Sequence, residues 1–163
     1  MTCPPRESDK SRTVIEAIPV DQSNGWWTGL VIDRDPDTGE IRHRLERWVE
    51  NDHGYENPHT WRVRPDYWEG EQEAVQMLQD RHGRFPPGNL PINQRLTPVE
   101  YWPVRRDEVR RVVAVRLDRP FKGECIRLYH WDQSDESVRQ KWTVGREWSR
   151  LSDLATHHVE ITV

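Results

Sequence analysis

The feature that most constrains this chain is that it matches itself. Slid by 84 positions, residues 13–40 lie over 97–124 without a gap. Thr13, Glu16, Pro19, Val20, Val31, Pro36, Gly39 and Glu40 then meet Thr97, Glu100, Pro103, Val104, Val115, Pro120, Gly123 and Glu124. These are eight identities in 28 positions, where composition alone supplies roughly two. One residue fewer in the second copy brings Arg44, Leu45 and Trp48 over Arg127, Leu128 and Trp131. Shorter loops then bring Trp61, Val63 and Trp68 over Trp142, Val144 and Trp148. The expected fold is therefore a tandem repeat, each copy built from about 70 residues.

Local signals make each copy four strands and a helix. In the first, strands are expected at Thr13–Val20, Trp26–Asp33, Glu40–Glu50 and Trp61–Arg64, with a turn at 35–39 and a loop over 51–59. Pro19 cannot donate to a ladder, which marks an edge or a bulge. Pro65 suits the first position of a helix, and Trp68, Val75 and Leu78 give an apolar stripe over 66–80. The second copy predicts strands near 98–104, 109–118, 124–131 and 140–144, a turn at 119–123, a helix near 146–156, and an extended piece at 159–163. Residues 1–12 read as a disordered tail and 81–96, with Pro86, Pro87, Gly88 and Pro91, as a linker. The fold class is α+β: two tandem ββββα copies, 13–80 and 97–163, each an antiparallel sheet with a helix laid on one face. Fusing two protomers of a dimer raises their effective concentration, so a monomeric chain with an internal pseudo-two-fold pair is expected.

Composition sets how such sheets find a core. Hydrophobic content is 34% and the mean hydropathy is −0.99, so area must come from large side chains. Nine tryptophans supply it, each aromatic burying roughly 150–250 Å². Trp61, Trp68, Trp142 and Trp148 are expected in the core, and the Trp26-Trp27 pair must place one ring inward and one outward. No apolar run reaches the ~18 residues of a membrane helix, and Cys3 and Cys125 make no disulfide framework. A cytoplasmic protein without membrane attachment is expected.

The net charge of −4 argues against nucleic acid, but its distribution does not. Residues 97–131 carry eight basic and five acidic side chains, while 66–80 carries five acids and no base. Only three of the 24 basic residues are lysines. Period-two alternation puts Arg127, Tyr129 and Trp131 on one face of their strand, and Arg42, Arg44 and Trp48 on the matching face in the first copy. Guanidinium groups track phosphates and flat rings stack on bases, the combination that suits single strands. The same residue types are enriched in protein interfaces, so a protein-interaction scaffold is the alternative. The seven histidines show no zinc-ligand spacing, and there is no glycine-rich phosphate loop or nucleophile elbow. Neither enzyme activity, nor a metal, nor a cofactor is expected.

The chain resembles the transcriptional coactivator family known as positive cofactor four. The first copy carries the likeness in Arg47-Trp48, in Gly54 and Pro58 of the following loop, and in Trp61 through Trp68. The second carries it in Phe121-Lys122-Gly123, Tyr129, Trp131 and the Trp142–Trp148 corner. The resemblance implies ββββα domains that dimerise and bind single-stranded DNA, and adds Phe121 and Lys122 to the candidate site. The transcription machinery is an implied partner. Asp37-Thr38 stands where the family has Phe-Lys, Glu40 and Glu124 replace a basic hairpin residue, and the second copy lacks the Gly-to-Pro loop. The related Pur-alpha and Whirly ββββα folds are the nearest alternatives.

Overall fold

The computed structural model describes residues 12–52, 54–88, 90–134 and 137–162. The molecule is α+β, with two antiparallel sheets and two helices. The first sheet contains β1 (Thr13–Ser23), β2 (Trp26–Arg34), β3 (Ile41–Asn51) and β4 (Gly54–Val63), paired in sequence order. Helix α1 (Pro65–Gln79) follows. The second sheet contains β5 (Thr97–Arg106), β6 (Arg110–Arg119), β7 (Gly123–Asp132) and β8 (Val138–Val144), again in sequence order, and α2 (Trp148–Thr162) follows.

Hairpin chemistry sets the registers. Asn24 and Gly25 form the β1–β2 turn with φ of 54° and 79°, the left-handed pair that a two-residue hairpin demands. Strands β1 and β5 are irregular at the matching prolines Pro19 and Pro103. Register shifts fall between Pro19 and Asp21 in β1 and between Pro103 and Arg105 in β5. Strand β4 starts at Gly54, so the segment expected to loop over 51–59 mostly pairs with β3. Helix α2 runs to Thr162, and the extended piece expected at 159–163 is helical over its described part. Position 163 and the tail at 1–11 lie outside the described residues. Arg12, expected in that tail, is buried.

The compact units do not follow the copies. One unit is the first sheet with α2, residues 1–65 and 146–163; the other is α1 with the second sheet, residues 66–145. The expectation that each helix covers the sheet preceding it is thereby corrected. A single residue, Arg64, separates β4 from α1, leaving no chain with which to fold the helix back over the strands it has just left.

In the first unit, Leu30, Ile32, His43, Leu45, Trp61 and Val63 form one buried face, with Trp148, Leu151, Ala155 and Val159 of α2 also buried. On the opposite face Trp27, Val31 and Trp48 pack with Val14, Ala17 and Tyr55. Beside them lies an ionic cluster. Arg12 Nε donates to Asp33 Oδ1 at 2.5 Å, and Arg44 Nη2 sits 2.6 Å from Asp33 Oδ2, around a fully buried carboxylate.

In the second unit α1 runs along β5 and β6. Gly70 lies against Val104, where an added Cβ would stand 3.1 Å from its methyl group. Arg116 donates to the Leu78 carbonyl and, at 3.0 Å, to Glu100. The other face of this sheet, Val113, Val115, Leu117, Tyr129 and Trp131, is covered by Leu90, Ile92 and Leu96 of the segment expected to be a linker. Under the 84-residue offset Arg12 and Asp33 correspond to Leu96 and Leu117, so an ion pair in the first sheet is replaced by aliphatic packing in the second. Among the described residues no helix is long and apolar enough to cross a membrane.

Candidate nucleic-acid interface

The structure splits the eight candidate residues. Trp48, Tyr129 and Trp131 are buried, Trp131 to 1% exposure. A base cannot stack on these rings while the surrounding structure stays in place, so as an open platform they are corrected. The physical reason for Trp131 is the cover at 90–96: three aliphatic side chains remove the face from water. Arg44 is buried on Asp33, and Arg42 pairs with Glu40 at 3.5 Å. Arg127 is half-buried, donating Nε to Thr143 Oγ1 at 2.8 Å and Nη1 to the Tyr129 hydroxyl at 3.3 Å. Burial raises the Tyr129 pKa, which keeps the phenol neutral.

Phe121 and Lys122 stand apart from these, exposed in the β6–β7 turn. Phe121 has φ of 64°, a left-handed conformation that a bulky side chain adopts only under constraint. An aromatic ring held in that conformation and fully in water is a surface available to a partner.

A second feature, which sequence reasoning passed over, lies at the other end of β6. Tyr101, Pro103, Arg105, Arg106, Arg111 and Trp131 line a cleft of about 360 Å³ whose rim is completed by Pro87 and Leu90, with no carboxylate in its lining. Its position follows from the β5–β6 hairpin. Asp107 Oδ1 accepts the backbone N–H groups of Val109 and Arg110 at 2.8 and 2.6 Å, and its Oδ2 accepts the Tyr67 hydroxyl at 3.0 Å. The two backbone bonds hold the Asp107 carboxyl below its ordinary pKa, so it stays ionised and the turn stays closed. Burial, with the adjoining Asp107, raises Tyr67 and keeps it a donor.

The hairpin thus pairs Arg106 with Arg111 across the two strands, with Arg105 next to Arg106 and opposite Val112. The Arg105 guanidinium lies 4.8 Å from the Tyr67 ring centre, and that of Arg111 lies 6.0 Å from the Trp131 ring. Cation–π contact orients such groups without neutralising them. Among the described residues Arg105, Arg106 and Arg111 have no carboxylate within 4.0 Å, whereas Arg12, Arg44, Arg47, Arg62 and Arg116 all do. Trp131 Nε1 is buried with no acceptor among the described residues. Unpaired guanidinium forks beside flat rings can hold an anion bidentately and pack a planar group. The signal was present in the sequence as two arginine doublets, 105–106 and 110–111, flanking Asp107-Glu108. The cleft and the Phe121 turn are separated by ten residues of sequence, about 30 Å of strand. Comparison with protein-family models, with curated proteins and with solved structures finds no match to this chain.

Proposed function

We propose that the protein binds single-stranded nucleic acid, DNA or RNA, with weak sequence dependence, using the cleft of the second sheet. The observation that carries this reading is that Arg105, Arg106 and Arg111, which have no carboxylate partner among the described residues, line a cleft of about 360 Å³ together with Tyr101. Phosphates engage the guanidinium forks, and a base packs on the ring of Tyr101 or the apolar wall at Pro103 and Leu90. A cleft of this size admits one unstacked nucleotide and excludes a base pair, which favours single strands over duplex. The exposed Phe121-Lys122 turn offers a second stacking and phosphate contact along the same strand.

The ββββα order, met twice, supports reading the chain as two copies of one module like that of the positive cofactor four family. The assignment of each helix to the unit of the other copy's sheet supports a fused dimer of such modules. Transcription regulation is the process this likeness suggests.

The test is equilibrium binding of a labelled single-stranded oligonucleotide and of its duplex at low salt. A clear preference for the single strand supports the proposal. No preference would transfer the function to a protein-interaction scaffold, the reading favoured by the full exposure of Phe85 and Phe121.

A further inference from the structure

The cleft of the second sheet is organised around one row of side chains. In the strand register Arg106 pairs with Arg111, and Arg111 pairs in turn with Trp131. Cross-strand partners stand on one face with Cβ atoms about 4.5–5.5 Å apart, so the two guanidiniums and the indole rise side by side. All three line the cleft. Arg105, one position earlier in β5, instead sets its guanidinium over the Tyr67 ring at 4.8 Å. The Arg106–Arg111 pair is therefore what faces a ligand. Arg106 is exposed and Arg111 half-buried.

This row is all donor. A guanidinium has five N–H groups and no acceptor, and Trp131 keeps a buried Nε1–H without an acceptor among the described residues. The neighbouring carboxylates are engaged elsewhere. Asp107 accepts the N–H groups of Val109 and Arg110 and the Tyr67 hydroxyl. Asp132 accepts from Ser134 and sits 3.7 Å from Arg139. Glu108, in the turn, is exposed and does not line the cleft. Two like charges held this close repel, and a ligand that brings two negative charges to one point relieves the repulsion best.

We infer, resting on the nucleic-acid reading of this cleft, that Arg106 and Arg111 together bind the phosphate monoester of a nucleotide, as carried by the end of a phosphorylated strand. A diester inside a strand has a single charge and two free oxygens, so the pair must divide between successive phosphates. A monoester carries about −1.5 to −2 at pH 7 and three acceptor oxygens, which two guanidinium forks can grip at once. Tyr101, Pro103 and Leu90 then wall the sugar and base of that one nucleotide, for which a cleft of about 360 Å³ has room.

Such a monoester comes from a strand end or from a free nucleotide. The test compares labelled oligonucleotides of one sequence with a 5′-phosphate, a 3′-phosphate or hydroxyl groups at both ends, the same sequence circularised, and adenosine monophosphate against adenosine. A phosphorylated end should bind about tenfold tighter than hydroxyl ends or the circle, with adenosine monophosphate competing for it. The advantage should shrink between about pH 7.5 and pH 5, as the monoester loses its second charge near pH 6 while arginine keeps its own. Arg106→Ala or Arg111→Ala should abolish the advantage. Arg110→Ala, exposed beside the pair but outside the cleft lining, should keep it. Equal affinity for phosphorylated, hydroxyl-ended and circular strands would overturn the inference and leave single-strand binding standing. An advantage that survives in both arginine variants would overturn it too. Saturable monophosphate binding without any strand binding would uphold the monoester site and remove the nucleic-acid reading, whereas no binding of strand or monophosphate would overturn both.

Discussion

Replacing Asp33 by alanine probes how the first sheet fills its second face. The carboxylate is fully buried, with Arg12 Nε at 2.5 Å on one oxygen and Arg44 Nη2 at 2.6 Å on the other. Removing it takes the shared carboxylate from two guanidinium groups whose side chains are 2% and 11% exposed. Breaking a buried pair in this way costs about 3–5 kcal/mol. Part of the loss is recovered locally, because Arg12 keeps the Glu40 carbonyl at 2.7 Å and Arg44 keeps Glu46 at 3.7 Å. The lower end, about 3 kcal/mol, is therefore expected, equal to a fall in Tm of about 6–12 °C for a chain of this length. Urea titration followed by tryptophan fluorescence reads it directly, since Trp27 and Trp48 lie on the same face. The double replacement Arg12→Leu with Asp33→Leu, which copies Leu96 and Leu117 of the second sheet, should recover part of the loss. Glu40→Gln, at an exposed pair, should stay within about 1 kcal/mol. A loss below about 1 kcal/mol for Asp33→Ala would refute the reasoning, because both guanidiniums would then have to reach water in the folded protein.

Three further outcomes follow from the same geometry. Trp131→Ala should cost about 3–5 kcal/mol in a denaturant titration, as expected for a buried aromatic. A near-neutral result would reopen that ring as a stacking platform. Phe121→Gly should leave stability unchanged or raise it by up to about 1 kcal/mol, since glycine accepts the left-handed conformation, while weakening single-strand binding; unchanged affinity would remove this turn from the interface. His43 titrates below its ordinary value of about 6.5, first because burial disfavours its charged form and then because His158 repels it, against a smaller pull from Asp33. The unfolded chain therefore takes up a proton that the folded chain refuses. Stability present above about pH 6.5 should be lost as the pH falls towards the lowered folded value. A His43→Gln variant should lose that slope, and an identical slope in both proteins would place its origin elsewhere.

Much of the fold was legible because each local signal occurs twice along the sequence. Strand–helix corners at Trp61–Trp68 and Trp142–Trp148, the proline irregularities in β1 and β5, and the core placement of four tryptophans all come from local chemistry that sequence exposes. Which of Trp26 and Trp27 turns inward was not legible, because alternation fixes only that they differ. Helix destination was not legible either: an apolar stripe says that a helix is covered, not by which sheet. The site was misread for a related reason. Period-two alternation correctly separated Arg127, Tyr129 and Trp131 from Ile126 and Leu128, but exposure depends on what lies above the sheet. Leu90, Ile92 and Leu96, spaced through a proline-rich segment, were the available sign of a cover. On the first sheet the same face is closed by charge, through Arg12, Asp33 and Arg44, a pattern that sequence does not distinguish from an open basic surface.

The most direct test of single-strand binding through the arginine cleft is the salt dependence of oligonucleotide affinity in three single variants. Each phosphate contact to a single strand contributes about −0.7 to the slope of log K against log salt. Arg106→Ala and Arg111→Ala should each weaken binding and make that slope shallower by about 0.7. Arg127→Ala, whose side chain is committed to Thr143 and Tyr129 inside the sheet, should leave the slope of the remaining folded protein unchanged. Slopes that are identical for Arg106→Ala, Arg111→Ala and the parent protein, or that change only with Arg127→Ala, would contradict the account.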